Sequence, residues 1–157
     1  MSRYWGWAEP GQRVPEAMPA GHWRSFTLLG AITVSGLLAT MTIEAATDRD
    51  VFQAFVDQVL CPRLRPGQIV VLDNLSAHKA PAVRQSIEAA GASLLYLPPY
   101  SPDLNPIEKC WSKIKQVLRS LKARTAAALE SAMSIALAAI SPENAHAWFQ
   151  YCGYTKD

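Results

Sequence analysis

Apolar residues recur along this chain at spacings that change from segment to segment, and the first spacing is that of strands. Residues 26–33 and 37–45 are apolar or threonine-rich and flank a Ser-Gly turn signal, so they predict a β-hairpin. Apolar residues then follow at helical spacing. Thr47 as the N-cap and Asp50 at the third helical position resemble a capping box, and we expect this helix to end before Pro62.

A strand, a helix and a second strand are predicted next. Residues 68–73 contain an unbroken apolar run, which is typical of a strand buried on both faces. Pro81 and Gly91 mark the start and the end of a helix, and residues 93–97 form a second apolar strand. Because the three elements fit within about 30 residues, they predict a βαβ unit with parallel strands and a right-handed crossover.

The last third of the chain is predicted to be helical. The loop 98–105, rich in Pro, Ser and Asp, ends with Asn105 as an N-cap and Pro106 at the first helical position. Two more helices are expected to begin at Thr125 and at Ser141. The order of the predicted elements indicates an α/β domain.

Length and composition favour one domain in a reducing environment. The chain has 157 residues and is 50% hydrophobic, which suits a single globular domain, 1–157. Its three cysteines lie far apart, so they predict neither a disulfide framework nor a thiolate zinc site and favour a cytoplasmic location. The uncharged stretch from Phe26 to Ile43 approaches the length of a membrane span, but its threonines and central turn favour a hairpin and no membrane association.

The positive charge is concentrated in one segment. The net charge of +2 is too small to predict nucleic-acid binding by itself. Six of the fifteen basic residues nevertheless lie between 109 and 124, and no acid occurs between Glu108 and Glu130. A solvated helix face and a contact with phosphates both explain this segment, and the sequence leaves the two open. The candidates for a phosphate contact are Lys109, Lys113, Lys115 and Arg119.

Asp73 and Glu108 are the candidate metal ligands. Asp73 follows the apolar strand, where open α/β sheets place ligands, and Glu108 lies in the first turn of a predicted helix. Two-metal phosphodiester chemistry needs such acidic oxygens, and carboxylates suit Mg²⁺. Local explanations compete: Asp73 can simply turn the chain, and Glu108 can cap the helix by reaching back to the Asn105 amide.

His78 lies in the loop after Asp73 and is a second kind of candidate. It can order a phosphate or a neighbouring acid. A lone loop histidine is more commonly just solvated, and the sequence does not distinguish these roles.

Two segments carry a resemblance to a known family. Val-Val-Leu-Asp-Asn-Leu-Ser-Ala-His at 70–78 and Leu-Pro-Pro-Tyr-Ser-Pro-Asp-Leu-Asn-Pro-Ile-Glu at 97–108 resemble the second and third acidic motifs of the DDE transposases of the mariner superfamily, in its bacterial insertion-sequence branch. The 34 residues between Asp73 and Glu108 match the spacing of that branch. A weaker resemblance begins at Trp7 and continues to the end of the chain.

The resemblance implies a fold and a function. The expected fold is ribonuclease H-like, a mixed sheet flanked by helices. Asp73 and Glu108 are expected to be ligands of two Mg²⁺ ions, for which Mn²⁺ can substitute, in an enzyme that cleaves DNA at element ends and joins it to target DNA. Asn74, His78 and Asn105 match motif positions and are expected to have supporting roles.

The resemblance also implies that one part of the domain is missing. The family carries its first catalytic aspartate on a central first strand, upstream of the segment that Trp7 begins, and no acid precedes Glu9 here. Either Arg3–Trp7 replaces that strand, or the sheet is left as two halves with unpaired inner edges. The alternative function is therefore an inactive truncated or split transposase that binds DNA, its missing N-terminal part or another protomer.

Overall fold

The computed structural model describes residues 9–11, 26–123 and 125–154, and within them the chain forms four strands and five α-helices. The elements in order are β1 (Thr27–Thr33), β2 (Gly36–Ile43), α1 (Arg49–Phe55), β3 (Ile69–Leu72), α2 (Pro81–Ala89), β4 (Ser93–Tyr96), α3 (Pro106–Leu121), α4 (Ala126–Ala138) and α5 (Pro142–Tyr151). This is a mixed α/β fold, as predicted, and each predicted strand and helix within the described residues is present.

The hairpin of β1 and β2 is antiparallel, and the helix after it starts one residue later than predicted. Asp48 is the N-cap, because its side chain accepts the Val51 N–H at 2.9 Å, so the predicted capping box with Thr47 as N-cap is wrong. An aspartate competes well with a threonine for this position. The helix also continues through a π-helical turn and a 3₁₀ turn that contains Pro62 instead of ending before it.

The predicted parallel strand pair is confirmed. Ile69 to Leu72 of β3 pair in register with Ser93 to Tyr96 of β4, and α2 connects the two strands. The expectation that this strand is buried on both faces is wrong, because Ile69 is 65% exposed and no residue of β3 is fully buried. Val70 and Leu72 pack on one hydrophobic cluster, which leaves the opposite face of the strand without such cover among the described residues.

The described strands form two separate sheets, β1–β2 and β3–β4. A continuous sheet would need one more strand hydrogen-bonded between them, and two halves are what the sequence predicts when a central strand is absent. The segment Arg3–Trp7, the candidate replacement, lies outside the described residues. Among the described residues, β3 therefore pairs only with β4, and β1 pairs only with β2.

Two hydrophobic clusters hold the layers together. The first, cluster 1, gathers α1, the π-helical turn and α2, with Val56, Val83 and Ile87 fully buried at its centre. The second, cluster 2, gathers α3, α4 and α5 around Cys110 and Ile114. The hairpin contributes to both, because Leu29 and Ala31 contact cluster 1 while Leu28 and Ile32 contact cluster 2.

The predicted starts of the last two helices are confirmed by their caps. Thr125 accepts the Ala128 N–H at 3.1 Å, and Ser141 forms a reciprocal capping box with Asn144. The three cysteines are free thiols, as the sequence predicts, and burial raises the pKa of the Cys110 thiol to about 11. None of the described helices is long and apolar enough to cross a membrane.

Candidate active site

One cavity of about 560 Å³ collects four of the five residues predicted to be catalytic or supporting. Its walls come from β1, β3, the loop after β3, α1 and the start of α3. Asp73, His78, Asn105 and Glu108 all line it, although 34 residues separate the two acids in the sequence. The fold therefore brings the C-terminal end of β3 and the N-terminal end of α3 to a common space.

Asp73 both turns the chain and faces the cavity. It is the first residue after β3, and its Oδ1 accepts the Leu75 N–H at 3.0 Å, the bond of an Asx-type turn. The side chain is 37% exposed and lines the cavity. The turn occupies one carboxylate oxygen with a single backbone bond, so it does not exclude a second partner for the carboxylate. The two interpretations of this residue are compatible.

His78 is held in place and is not a solvated loop residue. Its side chain is only 16% exposed, and its Nδ1 lies 2.6 Å from Asp73 Oδ1. The direction of the ring N–H departs from that of a hydrogen bond, so this is a close polar contact without hydrogen-bond geometry. The ring packs on Phe52 with centroids 4.1 Å apart, and the Tyr96 hydroxyl donates to the His78 carbonyl at 2.9 Å. These contacts fix His78 beside Asp73.

Sequence reasoning missed Phe52 and Tyr96, the two residues that hold His78. Tyr96 could have been found, because parallel pairing places it opposite Leu72, next to Asp73. No such signal points to Phe52. It belongs to α1 and contacts His78 only because that helix packs against the loop after β3.

Asn74 supports the loop from behind the cavity. Its Nδ2 donates a hydrogen bond to the Leu97 carbonyl, just beyond β4, and Asn74 does not line the cavity. This bond continues the β3–β4 ladder past Leu72, whose carbonyl accepts the Leu97 N–H at 2.8 Å. The Asn74 side chain thus anchors the loop that carries Asp73 and His78 to the end of β4.

Glu108 does not form the capping box that competes with a ligand role. The Asn105 N–H donates to the Pro102 carbonyl at 3.1 Å, inside a 3₁₀ turn. Asn105 is the N-cap of α3 but makes no side-chain cap bond. Within the described residues, the Glu108 carboxylate has no hydrogen-bond or ion-pair partner, and it lines the cavity together with Asn105.

The side chains at this cavity fit a hard divalent cation. Asp73 and Glu108 supply carboxylate oxygens and Asn105 supplies an amide oxygen, which are the ligands that Mg²⁺ and Mn²⁺ prefer. The described residues contain no group of three or more His, Cys, Asp or Glu side chains placed to hold a metal. Of the several acidic oxygens that such a cation would need, the described residues therefore place those of Asp73 and Glu108 at this cavity.

The four predicted DNA-binding residues fall on two different faces of α3. Lys109 lies over the Tyr151 ring at 4.1 Å from its centroid, and the Lys113 ammonium donates to the Asn144 side chain. Both partners belong to α5, so these two cations stabilise helix packing. Lys115 and Arg119 are exposed, and at about 100° per residue they lie within about 20° of Glu108 around the helix.

The fold and the position of the acids define a class of protein. The structure is a ribonuclease H-like α/β domain with a carboxylate at the end of β3 and another at the start of α3. Residues 1–130 match the family described as DDE superfamily endonuclease, and the chain belongs to this family. No curated protein sequence matched the chain.

Solved structures of the Mos1 transposase have a similar fold. The Mos1 strand transfer complex is 22% identical with a TM-score of 0.75, covering 96% of this chain and 46% of that chain. The Mos1 paired-end complex with the left transposon end is 21% identical with a TM-score of 0.76, covering 96% and 47%. The Mos1 mariner paired-end complex with Mn is 19% identical with a TM-score of 0.71, covering 94% and 46%. This chain thus spans a little under half the length of those chains.

Proposed function

We propose that this chain is the catalytic domain of a DDE transposase, which cleaves DNA at element ends and joins the freed 3′ hydroxyl to target DNA during transposition of an insertion sequence. The observation that carries this proposal is the single cavity lined by Asp73 and Glu108, both within the segment that matches the DDE family. The similar fold of Mos1 complexes that contain a transposon end supports DNA as the partner.

In this proposal Asp73, Glu108 and the Asn105 amide oxygen would hold Mg²⁺. The chemistry supplied there would be activation of the attacking oxygen and stabilisation of the leaving oxygen of the phosphodiester. Side chains around the cavity would position these ligands. His78, packed on Phe52, keeps the Asp73 carboxylate aimed at the cavity, and Asn74 anchors the same loop to the end of β4. The Glu108 carboxylate has no partner among the described residues, so it can bind a cation without breaking a helix cap.

Two carboxylates compensate only part of the charge of two divalent cations. The described residues place no third acidic ligand at the site. Further oxygen ligands must therefore come from the DNA phosphate and from a group outside the described residues. This observation favours the second candidate function, an inactive truncated or split transposase that binds DNA or a partner fragment. We therefore expect no strand transfer by this chain alone.

Metal binding tests the site independently of activity. We expect Mn²⁺, followed by its electron paramagnetic resonance signal, to bind the chain weakly and to be displaced by Mg²⁺. Asp73→Asn and Glu108→Gln should each reduce the bound fraction at least about tenfold, because each removes a charged ligand of a hard cation. Asp103→Asn is the matched control, since Asp103 lies in the same motif but does not line the cavity. Equal binding by all four proteins would contradict the site.

Activity separates the two candidate functions. The chain is incubated with Mn²⁺ and supercoiled plasmid DNA, and nicking and strand joining are measured on gels. Absence of products together with metal binding that depends on Asp73 and Glu108 supports the incomplete enzyme. Products that disappear in Asp73→Asn would show instead that the chain is catalytically complete.

A further inference from the structure

The C-terminal end of α5 fixes the position of Tyr154. Gly153, the residue after the C-cap, has a positive φ of +82°, a backbone conformation that glycine adopts without a steric cost. Its N–H donates to the Gln150 carbonyl at 2.9 Å, and the Tyr154 N–H donates to the Phe149 carbonyl at 3.0 Å. The Phe149 and Tyr154 rings also meet edge to face, with centroids 5.9 Å apart. These are the two bonds and the hydrophobic contact of a Schellman motif, so the helix end itself places the Tyr154 side chain.

The Tyr154 hydroxyl reaches the loop that precedes α3. It donates a hydrogen bond to the Leu104 carbonyl at 2.8 Å, although 50 positions separate the two residues in the sequence. Leu104 ends the 3₁₀ turn and directly precedes Asn105, the N-cap of α3. The end of α5 is therefore tied to the start of the helix that carries Glu108.

The start of α3 lacks the side-chain bonds that usually fix a helix start. An N-cap asparagine commonly accepts an N–H of the first turn, but the Asn105 side chain makes no such bond in the described part of the chain and lines the cavity. Glu108 also lines the cavity and forms no capping box. Since neither side chain stabilises the helix start from within, the bond from Tyr154 supports this loop from outside.

α5 also forms part of the wall of the candidate active site. Phe149 and Tyr154 both line the cavity. The lysine contacts described above join the same helix to the flank of α3. α5 begins at Pro142, beyond the residues 1–130 that match the DDE family, so the match assigns no role to it. Its contacts with the loop and the cavity indicate what that role is.

We propose that Tyr154 is a positioning residue of the metal site. Its hydroxyl holds the loop before α3 in the arrangement that turns the Asn105 amide and the Glu108 carboxylate toward the cavity at the same time. This inference rests on the proposed function, because the ligand roles of Asn105 and Glu108 come from it. The competing role is a contact that only stabilises the end of α5, and it predicts no effect on cation binding.

Tyr154→Phe tests the proposal, because it removes the hydroxyl and keeps the ring beside Phe149. Mn²⁺ binding to the full 157-residue chain is followed by electron paramagnetic resonance. We expect the affinity to fall about three- to fivefold, since one hydrogen bond orders the loop only modestly and a site that is formed part of the time binds with proportionally lower affinity. Tyr151→Phe is the matched control, because it removes a hydroxyl from the same helix at a residue that is 68% exposed and does not line the cavity. We expect this control to bind Mn²⁺ like the unsubstituted chain.

Amide hydrogen exchange in the absence of metal gives a second readout. The Asn105 N–H donates to the Pro102 carbonyl and the Glu108 N–H donates to the Asn105 carbonyl, both at 3.1 Å. In Tyr154→Phe these two amides should exchange about three- to fivefold faster, because the turn and the helix start open more often. The amides of α4 should keep their rates, and Tyr151→Phe should change none of these amides.

Three results would overturn the proposal. Equal Mn²⁺ affinity of Tyr154→Phe and Tyr151→Phe, with weaker binding by Glu108→Gln, would overturn it and leave the metal site intact. Faster exchange of the α4 amides together with those of Asn105 and Glu108 would mean that Tyr154→Phe loosens the helices as a unit and does not act on the loop. Unchanged Mn²⁺ binding by Glu108→Gln would remove the ligand assignment itself, and the proposal with it.

Discussion

His78 links the Asp73 carboxylate to the hydrophobic layer beneath it. Its ring packs on Phe52, its carbonyl accepts the Tyr96 hydroxyl, and its Nδ1 lies 2.6 Å from Asp73. The residue is held through its ring, its backbone carbonyl and its Nδ1, so the Asp73 carboxylate beside it is restrained as well. We therefore propose that His78 positions Asp73, and this effect can be measured without any metal.

His78→Ala should lower the free energy of unfolding by about 1–3 kcal/mol, because it removes the packing on Phe52 and the polar contact with Asp73. A double-mutant cycle with Asp73→Asn isolates the polar contact, and urea unfolding provides the four free energies. Since both side chains are partly exposed, we expect a coupling of up to about 1 kcal/mol. A coupling of zero would show that His78 serves only the packing.

Glu108 shows what the sequence could and could not decide at this scale. The Asn-Pro-Ile-Glu motif is compatible with a helix cap and with a ligand, since both need a glutamate at the third helical position. The choice depends on whether the Asn105 N–H is free, and the 3₁₀ turn that starts at Pro102 occupies it. A turn of three residues is too short to produce a repeating hydrophobic pattern in the sequence. The motif therefore predicted the position of Glu108 in the helix but not the partner of its side chain.

At the scale of an element, α3 carries its positive charges on two different faces. Lys109 and Lys113 lie on the face of α3 that packs on α5. Lys115 and Arg119 are exposed and lie on the same side of the helix as Glu108. A phosphate backbone that reaches Glu108 would continue over the second face.

Lys115→Gln combined with Arg119→Gln should weaken binding to nonspecific duplex DNA and reduce the slope of log affinity against log salt by up to about 2, because each lost phosphate contact contributes about 0.9. Fluorescence anisotropy across a salt series measures both quantities. Lys109→Gln combined with Lys113→Gln is the matched control with the same change in charge. We expect this control to lower the free energy of unfolding and to change the salt slope less than the first pair does. A larger slope change in the control would reverse this assignment of the two faces.

Gly30 shows how closely β1 approaches α3. A Cβ at this position would lie 2.8 Å from the Trp111 ring and 3.3 Å from the Ala39 carbonyl. The indole contact leaves no room for a methyl group, so the wide ring on α3 and the glycine on β1 fit together. This fit sets the separation of the hairpin from the helix that carries Glu108.

Gly30→Ala should therefore destabilise the chain by about 1–3 kcal/mol through overpacking. Thermal unfolding measures the loss. Trp111→Phe alone costs some buried area, but in the Gly30→Ala background the smaller ring should recover part of the stability. Additive losses in the double variant would mean that the ring is not what the methyl group meets.

The elements were more predictable than their burial. Glycine, proline and caps placed the strands and helices within one or two residues, because those signals are local. The error at β3 has a different origin: an apolar run predicts a strand between covered faces, but it does not report which elements cover each face. Ile69 is exposed because it lies on the face of β3 away from cluster 1, which no hydrophobic cluster of the described residues covers.

For the whole molecule, the divided sheet changes how the parts depend on each other. Cluster 1 includes α2 and side chains of β3 and β4, whereas cluster 2 includes the last three helices and no described residue of β3 or β4. The hairpin is the shared wall of both clusters. Without hydrogen bonds between β1 and β3, the unit β3–α2–β4 is attached through cluster 1 packing and short loops, and we expect it to open separately.

Ile87→Ala and Ile114→Ala test this division, because Ile87 lies in cluster 1 at 0% exposure and Ile114 lies in cluster 2 at 2%. Each truncation should cost about 2–5 kcal/mol where the side chain packs. In native-state hydrogen exchange, Ile87→Ala should lower the opening free energy of the β3 and β4 amides and leave that of the α3 amides unchanged. Ile114→Ala should lower the opening free energy of the α3 amides and leave that of the β3 and β4 amides unchanged. Equal losses in both regions would mean that the hairpin couples the clusters into one cooperative unit.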